Sequence, residues 1–265
     1  MGLKDALNDI NNKLMNEGFL SAMEYSKFLL LSSYLNKSGR QFNKPSLGEY
    51  NDIALIQTTN PEKIIRGIGI KNYNKEFLFT LNKYNQQISR INNNYPKEFR
   101  IDVEEAEILY SMTRALKPKV FVETGVADGT SSFFILEAMS KNNRGKLISI
   151  DIRSDVGKLI PEELKNRWDL RVIKGNLKEG YRNAISKLGE IDIFLHDSDH
   201  TYNWQKLEYL SALPKLNKLG FLLSDDIDCS YAMIDFLDRI KHKCKFYVLV
   251  TSRKIFGLVD FESSK

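Results

Sequence analysis

The chain is poor in cysteine: Cys229 and Cys244 are the only two among 265 residues. Two thiols argue against a disulfide-stapled scaffold and fit a reducing, cytoplasmic setting. Long apolar runs are missing too. The longest, such as "FLLL" at 28–31, fall far short of the roughly 20 residues a membrane span needs. The opening "MGLKDALNDINNK" lacks the basic, then apolar, then small-residue order of a secretory signal, so none is expected. No dense block of one charge occurs either. The net charge is +5, the lysines are scattered, and no basic stripe interleaved with aromatics marks a nucleic-acid surface. No internal repeat is evident. What is present, 42% apolar and 28% charged residues, suits a soluble globular chain of one large domain, or one domain with an extension.

The texture changes near residue 100. Before it, helical spacing dominates. "LKDALNDINNKLM" puts Leu3, Leu7, Ile10 and Leu14 on one stripe, and "AMEYSKFLLLSSYL" predicts a second helix. "KSGRQFNKPSLGEYND" predicts a loop from its Gly and Pro, and "NKEFLFTLNKYNQQISRI" another helix. "NNNYPKEF" breaks the pattern and marks the boundary, giving residues 1–100 as a helical N-terminal region and 101–265 as the main domain. That region is expected to cover an acceptor site or form a homo-oligomer contact. Its aromatics, Tyr50 and Tyr73 among them, read mostly as packing, with some open to lining an acceptor pocket.

From residue 101 onward, short apolar runs alternate with helical segments. "DVEEAEILYSMTRALK" opens with Asp102 and Glu105 in capping-box spacing and is stopped by Pro118. The runs "KVFVET" (119–124), "KLISID" (146–151), "LRVIKG" (170–175), "IDIFLHD" (191–197) and "GFLLSDD" (220–226) follow. Runs separated by helix-length segments predict a parallel sheet with crossover helices, a Rossmann-like doubly wound α/β fold. The tail "CKFYVLVTSRKIFGLVDF" reads as a terminal antiparallel pair separated by "SRK".

In such sheets a ligand binds outside the carboxyl ends of the strands, at the switch point. "VFVETGVADGTSS" occupies that place after the first run. Gly125 permits a tight turn there. The N–H groups at the following helix start favour an anionic group, with the hydroxyls of Thr130, Ser131 or Ser132 beside them. The spacing is not G-x-G-x-x-G, because Ala127 and Thr130 stand at the later positions, so a dinucleotide pyrophosphate is not indicated. The pattern E-x-G-x-x-x-G, carried by Glu123, Gly125 and Gly129, resembles motif I of the class I S-adenosylmethionine-dependent methyltransferases. The resemblance implies that this turn cradles the methionine part of S-adenosylmethionine. It also implies that Asp151, ending "LISID", bonds the ribose hydroxyls, as an ionised carboxylate can. Asn176 is a candidate contact on the adenine side; Asn after Gly is equally ordinary turn chemistry.

"IDIFLHDSDHTYN" and "LLSDD" end two runs that are neighbours in that family's sheet. Asp197, Asp225 and Asp226 are therefore expected to converge beside the turn. Crowded carboxylates call for a cation, and oxygen ligands suit Mg²⁺. "DSDHTY" is similar to the D-G-D-H-S-Y stretch of the methyltransferase-24-like group and resembles metal-dependent sugar O-methyltransferases. Here Ser198 replaces the Gly, and Asp-Asp stands where the sugar enzymes have Glu-Asp. The resemblance implies Asp197, Asp225 and Asp226 as metal ligands and His200 as general base, acting on a small-molecule hydroxyl of sugar or polyol type. Asp199 reads as a cap, His196 as structural, His242 as a surface residue and Trp204 as core filling. An isolated D-x-D-H also reads as helix capping alone. Two other functions stay open: a metal-dependent hydrolase or hydroxylase-like enzyme on the same sheet, and a cofactor-binding module without catalysis.

Overall fold

Strand-forming runs bounded by turn residues build a single mixed sheet within residues 44–265. The computed structural model describes residues 43–91, 95–240 and 244–261. Its strands are β1 (Ile56–Thr58), β2 (Val120–Thr124), β3 (Lys146–Asp151), β4 (Trp168–Val172), β5 (Ile191–His196), β6 (Leu216–Ser224), β7 (Lys245–Val250) and β8 (Ile255–Asp260). They lie in the order β1-β7-β8-β6-β5-β2-β3-β4. The run from β6 to β4 is parallel throughout. β8 is antiparallel to both β6 and β7, and β1 is parallel to β7. From β2 the chain winds to one side through β3 and β4, then crosses back to β5 and β6. The edge above β2 is therefore the switch point where such sheets bind ligands.

Alternation along the strands sorts the core into two layers, because successive side chains point to opposite faces. Phe121, Ile193, Leu195, Phe221 and Leu223 face one layer; Val122, Phe194 and Leu222 face the other. The helices are α1 (Leu47–Asn51), α2 (Pro61–Gly67), α3 (Asn74–Ile88), α4 (Val103–Leu116), α5 (Thr130–Asn142), α6 (Leu177–Ser186), α7 (Tyr202–Ala212) and α8 (Ala232–Ile240). α2 to α5 cover the first face with Ile64, Phe77, Leu109 and Phe134; α6 to α8 cover the second with Tyr181, Tyr209 and Phe236. Each such fully buried side chain contributes about 1.5–3 kcal/mol of transfer free energy. α4 has the expected capping box of Asp102 and Glu105, and it ends at Lys117 in the left-handed conformation just before Pro118.

The region expected to be a helical extension departs from that reading. Ser46 and Glu49 form a capping box that starts α1 inside the stretch read as loop. Residues 56–58 form strand β1, whose ladder on β7 begins with Leu55 N–H donating to the Phe246 carbonyl at 2.7 Å. Three residues are too short a run to show strand periodicity. Residues 44–265 make one compact unit, so the boundary placed near residue 100 falls inside it; Ile64, Phe77 and Tyr84 share a core layer with β2 and α5. The helices expected over 3–15 and 22–35 lie outside the described residues. Among the described residues, no helix is long and apolar enough to cross a membrane.

Candidate active site

Register places the site. Thr124 pairs with Ile150 on one side and with His196 on the other, and His196 pairs with Ser224. Hydrogen bonds carry the ladders one step further: Gly125 N–H to the Ile150 carbonyl, Asp197 N–H to that of Thr124, and Asp225 N–H to that of His196. Asp151, Gly125, Asp197 and Asp225 thus stand in a row across the carboxyl edge of four strands. They line a cavity of about 500 Å³.

Gly125 has φ 77°, and a Cβ there would lie 1.9 Å from the Asp197 carbonyl oxygen. Only glycine lets the β2 turn meet the end of β5 so closely. Ala127 and Asp226 also adopt left-handed conformations, and both line the cavity. Such strain in non-glycine residues concentrates at functional sites. Asp151 accepts from Val126 N–H and from Arg153 N–H, one on each oxygen, both at 2.9 Å. Each oxygen keeps a second lone pair, so the pair can take a vicinal diol. Burial raises the Asp151 pKa. Tyr95 and Phe99 form a further wall, with the Arg153 guanidinium over the Tyr95 ring.

Several residues expected at the cofactor face the core instead. Glu123 is fully buried; it accepts from the hydroxyls of Ser131 (3.0 Å), Ser149 (2.6 Å) and Ser132. Its carboxyl ties β2 to β3 and to the start of α5. Thr130 meets the Tyr84 hydroxyl, and a Cβ on Gly129 would press on Gly157. Asn176 caps α6. None of Glu123, Gly129, Thr130, Ser131 or Asn176 lines the cavity. Their residue types suit the motif, but their direction is set by packing.

The acid cluster is also rearranged. The Asp226 carboxylate lies 3.4 Å from His200 Nε2. Among the described residues, Asp226 is grouped with Asp228 and Cys229, while Asp197, His200 and Asp225 form a separate set near enough to share an ion; the expected three carboxylates do not come together. The Lys254 ammonium, on the β7–β8 hairpin, lies 2.5 Å from Asp225 Oδ2. This set does not fit Mg²⁺, which prefers oxygen ligands in octahedral array. One ligand is a nitrogen, and one oxygen of Asp225 is already held by a cation. Burial and then Asp225 push the Asp197 pKa well up; burial, then Asp225, takes Asp226 to about 6. Burial, with His196 alongside, pushes His200 down to about 3, so its imidazole is neutral at physiological pH. With Asp226 beside Nε2, the proton belongs there, which leaves Nδ1 as a bare acceptor. Nδ1 of His200 is buried without a hydrogen-bond partner, and the carboxyls of Asp197 and Asp225 bond each other.

Beneath His200 lies a second network. Glu208 accepts from Thr124 (2.5 Å), Ser198 (2.9 Å) and the Trp204 indole (2.6 Å), and pairs with His196 Nδ1 at 2.6 Å. His196 is thus structural, as expected. Trp204 lines the cavity rather than only filling the core. Asp199 accepts from Thr201 N–H in an Asx turn; the N-cap of α7 is Thr201, so Asp199 is not the helix cap expected. Tyr50 packs in the core, its hydroxyl on the Ile227 carbonyl; His242 lies outside the described residues. Lys254 and Glu208 carried no motif that could single them out.

Residues 122–227 match the family model described as a methyltransferase domain. Over that stretch, from β2 to just past β6, the chain is similar to this family. No curated protein matches the whole sequence at a significant level. In three dimensions the domain is similar to an O-methyltransferase from Bacillus cereus in complex with S-adenosylhomocysteine (16% identity, 68% of this chain and 90% of that one, TM-score 0.53). It is also similar to the O-methyltransferase TomG of Streptomyces achromogenes, involved in tomaymycin synthesis and bound to S-adenosylmethionine (13%, 69% and 90%, 0.53). A Podospora anserina methyltransferase bound to S-adenosylhomocysteine compares likewise (13%, 70% and 88%, 0.52). At these identities the likeness is one of fold, and the fold is that of class I S-adenosylmethionine-dependent methyltransferases.

Proposed function

We propose that this protein transfers a methyl group from S-adenosylmethionine to a hydroxyl of a small molecule. The observation that carries the reading is one cavity lined together by the Gly125 turn, Asp151, Asp197 and His200, with His200 Nδ1 an unmet acceptor. A buried acceptor without a donor costs free energy until an O–H group reaches it. A sugar or polyol supplies such a hydroxyl, and Phe99 and Tyr95 offer apolar faces for its C–H edge.

Asp151 and the N–H-lined turn would hold the donor, which supplies a methyl carbon on a sulfonium. The acceptor oxygen attacks that carbon in line; the carbon–sulfur bond breaks with its electrons left on sulfur. Bond formation makes the oxygen strongly acidic, so its proton passes late to His200 Nδ1, although burial holds that imidazole at a low pKa. Asp226 beside Nε2 favours the imidazolium that results. Asp225 orients the hydroxyl, or a second one beside it. The cavity's size is that of a small-ligand site, and the free thiols Cys229 and Cys244 suit a reducing compartment. The test is calorimetry with S-adenosylhomocysteine, followed by a screen of hydroxylated acceptors with labelled donor. No binding at millimolar ligand would refute donor use. Binding with label transfer only to amines would refute the hydroxyl.

A further inference from the structure

The acid cluster already holds a cation. Lys254 is only 7% exposed, and its ammonium pairs with Asp225. The carboxyls of Asp197 and Glu105 face the same ammonium. Glu105 reaches in from the first turn of α4, fully buried, with Oε1 unpartnered. The hairpin carrying Lys254 is pinned from both sides. Its turn closes through Thr251, which bonds the Lys254 carbonyl and amide. The next residue back, Arg253, holds the Asp102 carboxylate and the Arg100 carbonyl. Because β8 runs antiparallel to β6, with Gly257 opposite Ser224, this turn must emerge at the level of Asp225.

We infer that the ammonium of Lys254 is the resident cation of this cluster, standing where a divalent ion would otherwise be held, and that the site works without added metal. The second half rests on the methyl-transfer reading above; the first does not. A buried carboxylate needs a paired charge, and a tethered ammonium supplies one with three donors and little further loss of freedom. An entering divalent ion would meet a like charge on its own ligand. Burial works against the charge on Lys254, yet the surrounding carboxyls more than offset it and keep it protonated.

The test titrates the full chain with Mn²⁺ alone, followed by calorimetry and by the electron spin resonance of free ion. The wild type is expected to take up no Mn²⁺ at about 1 mM. Lys254→Met is expected to gain a site at least about tenfold tighter than any in the wild type. Adding Asp225→Asn should abolish that site. A wild-type Mn²⁺ site lost in Asp225→Asn would overturn the inference, as would a folded Lys254→Met with no gain. If Lys254→Met does not fold, the wild type and Lys254→Arg, which keeps the charge, still decide: both must stay empty of Mn²⁺. S-adenosylhomocysteine binding is measured in parallel. Its absence would sink the methyltransferase reading and leave the Mn²⁺ result standing.

Discussion

Glu123 makes the stability of this fold depend on pH in a direction opposite to most carboxylates. Its carboxyl has no exposure to solvent, and three serine hydroxyls donate to it. Those hydroxyls favour the ionised form, but burial outweighs them and lifts the pKa from the ordinary 4.5 to about 7. A carboxyl with a raised folded pKa binds more protons folded than unfolded. Its contribution is therefore complete below about pH 4.5 and is lost as pH rises through about 7. The gap corresponds to about 3 kcal/mol. Glu123→Gln keeps the shape, and a rotated serine hydroxyl can accept from the new amide, so the variant lacks this titration. Urea unfolding of wild type and variant at about pH 4.5 and about pH 8 gives the measurement, because groups common to both cancel in the difference. On going to the higher pH, the variant should gain about 3 kcal/mol relative to wild type. A difference between the two proteins that does not change with pH would refute the reasoning.

Gly125→Ala should lower stability by about 2–4 kcal/mol, because φ 77° is unfavourable for alanine and the Cβ would collide with the Asp197 carbonyl; thermal unfolding reads this. Asp151→Ala removes the acceptor for Val126 and Arg153 N–H and should weaken S-adenosylhomocysteine binding by at least about tenfold in calorimetry. His200→Ala should cut labelled methyl transfer by about 10²–10⁴ while leaving S-adenosylhomocysteine affinity within about twofold of wild type. Arg253→Ala frees the hairpin from Asp102 and Arg100; hydrogen exchange should quicken over residues 95–102, at a cost of about 1 kcal/mol.

The doubly wound sheet was readable from local pattern because buried parallel strands are continuous apolar runs, and helix-length segments separate them. The row of Asp151, Asp197 and Asp225 was readable for the same reason: each is the polar residue that ends or follows such a run. β1 was not, since three residues at a sheet edge take their conformation from β7 and not from their own composition. Glu123, Thr130 and Ser131 have the residue types of a cofactor turn. Only the packing of α5 against β2 and β3 turns them inward, onto one another and onto Tyr84.

The sequence by itself determined the order of β2 to β8 and the helices between them, the glycine turn after β2 and the acids at the strand ends, because these follow from short-range spacing and burial. Tertiary structure alone decided which groups face the cavity and what neutralises them. The left-handed backbone at Asp226 sends its carboxylate to His200. The antiparallel return of β8 delivers Lys254 to Asp225 across 29 residues of chain. Both outcomes depend on contacts between distant segments, which no local pattern of residues encodes.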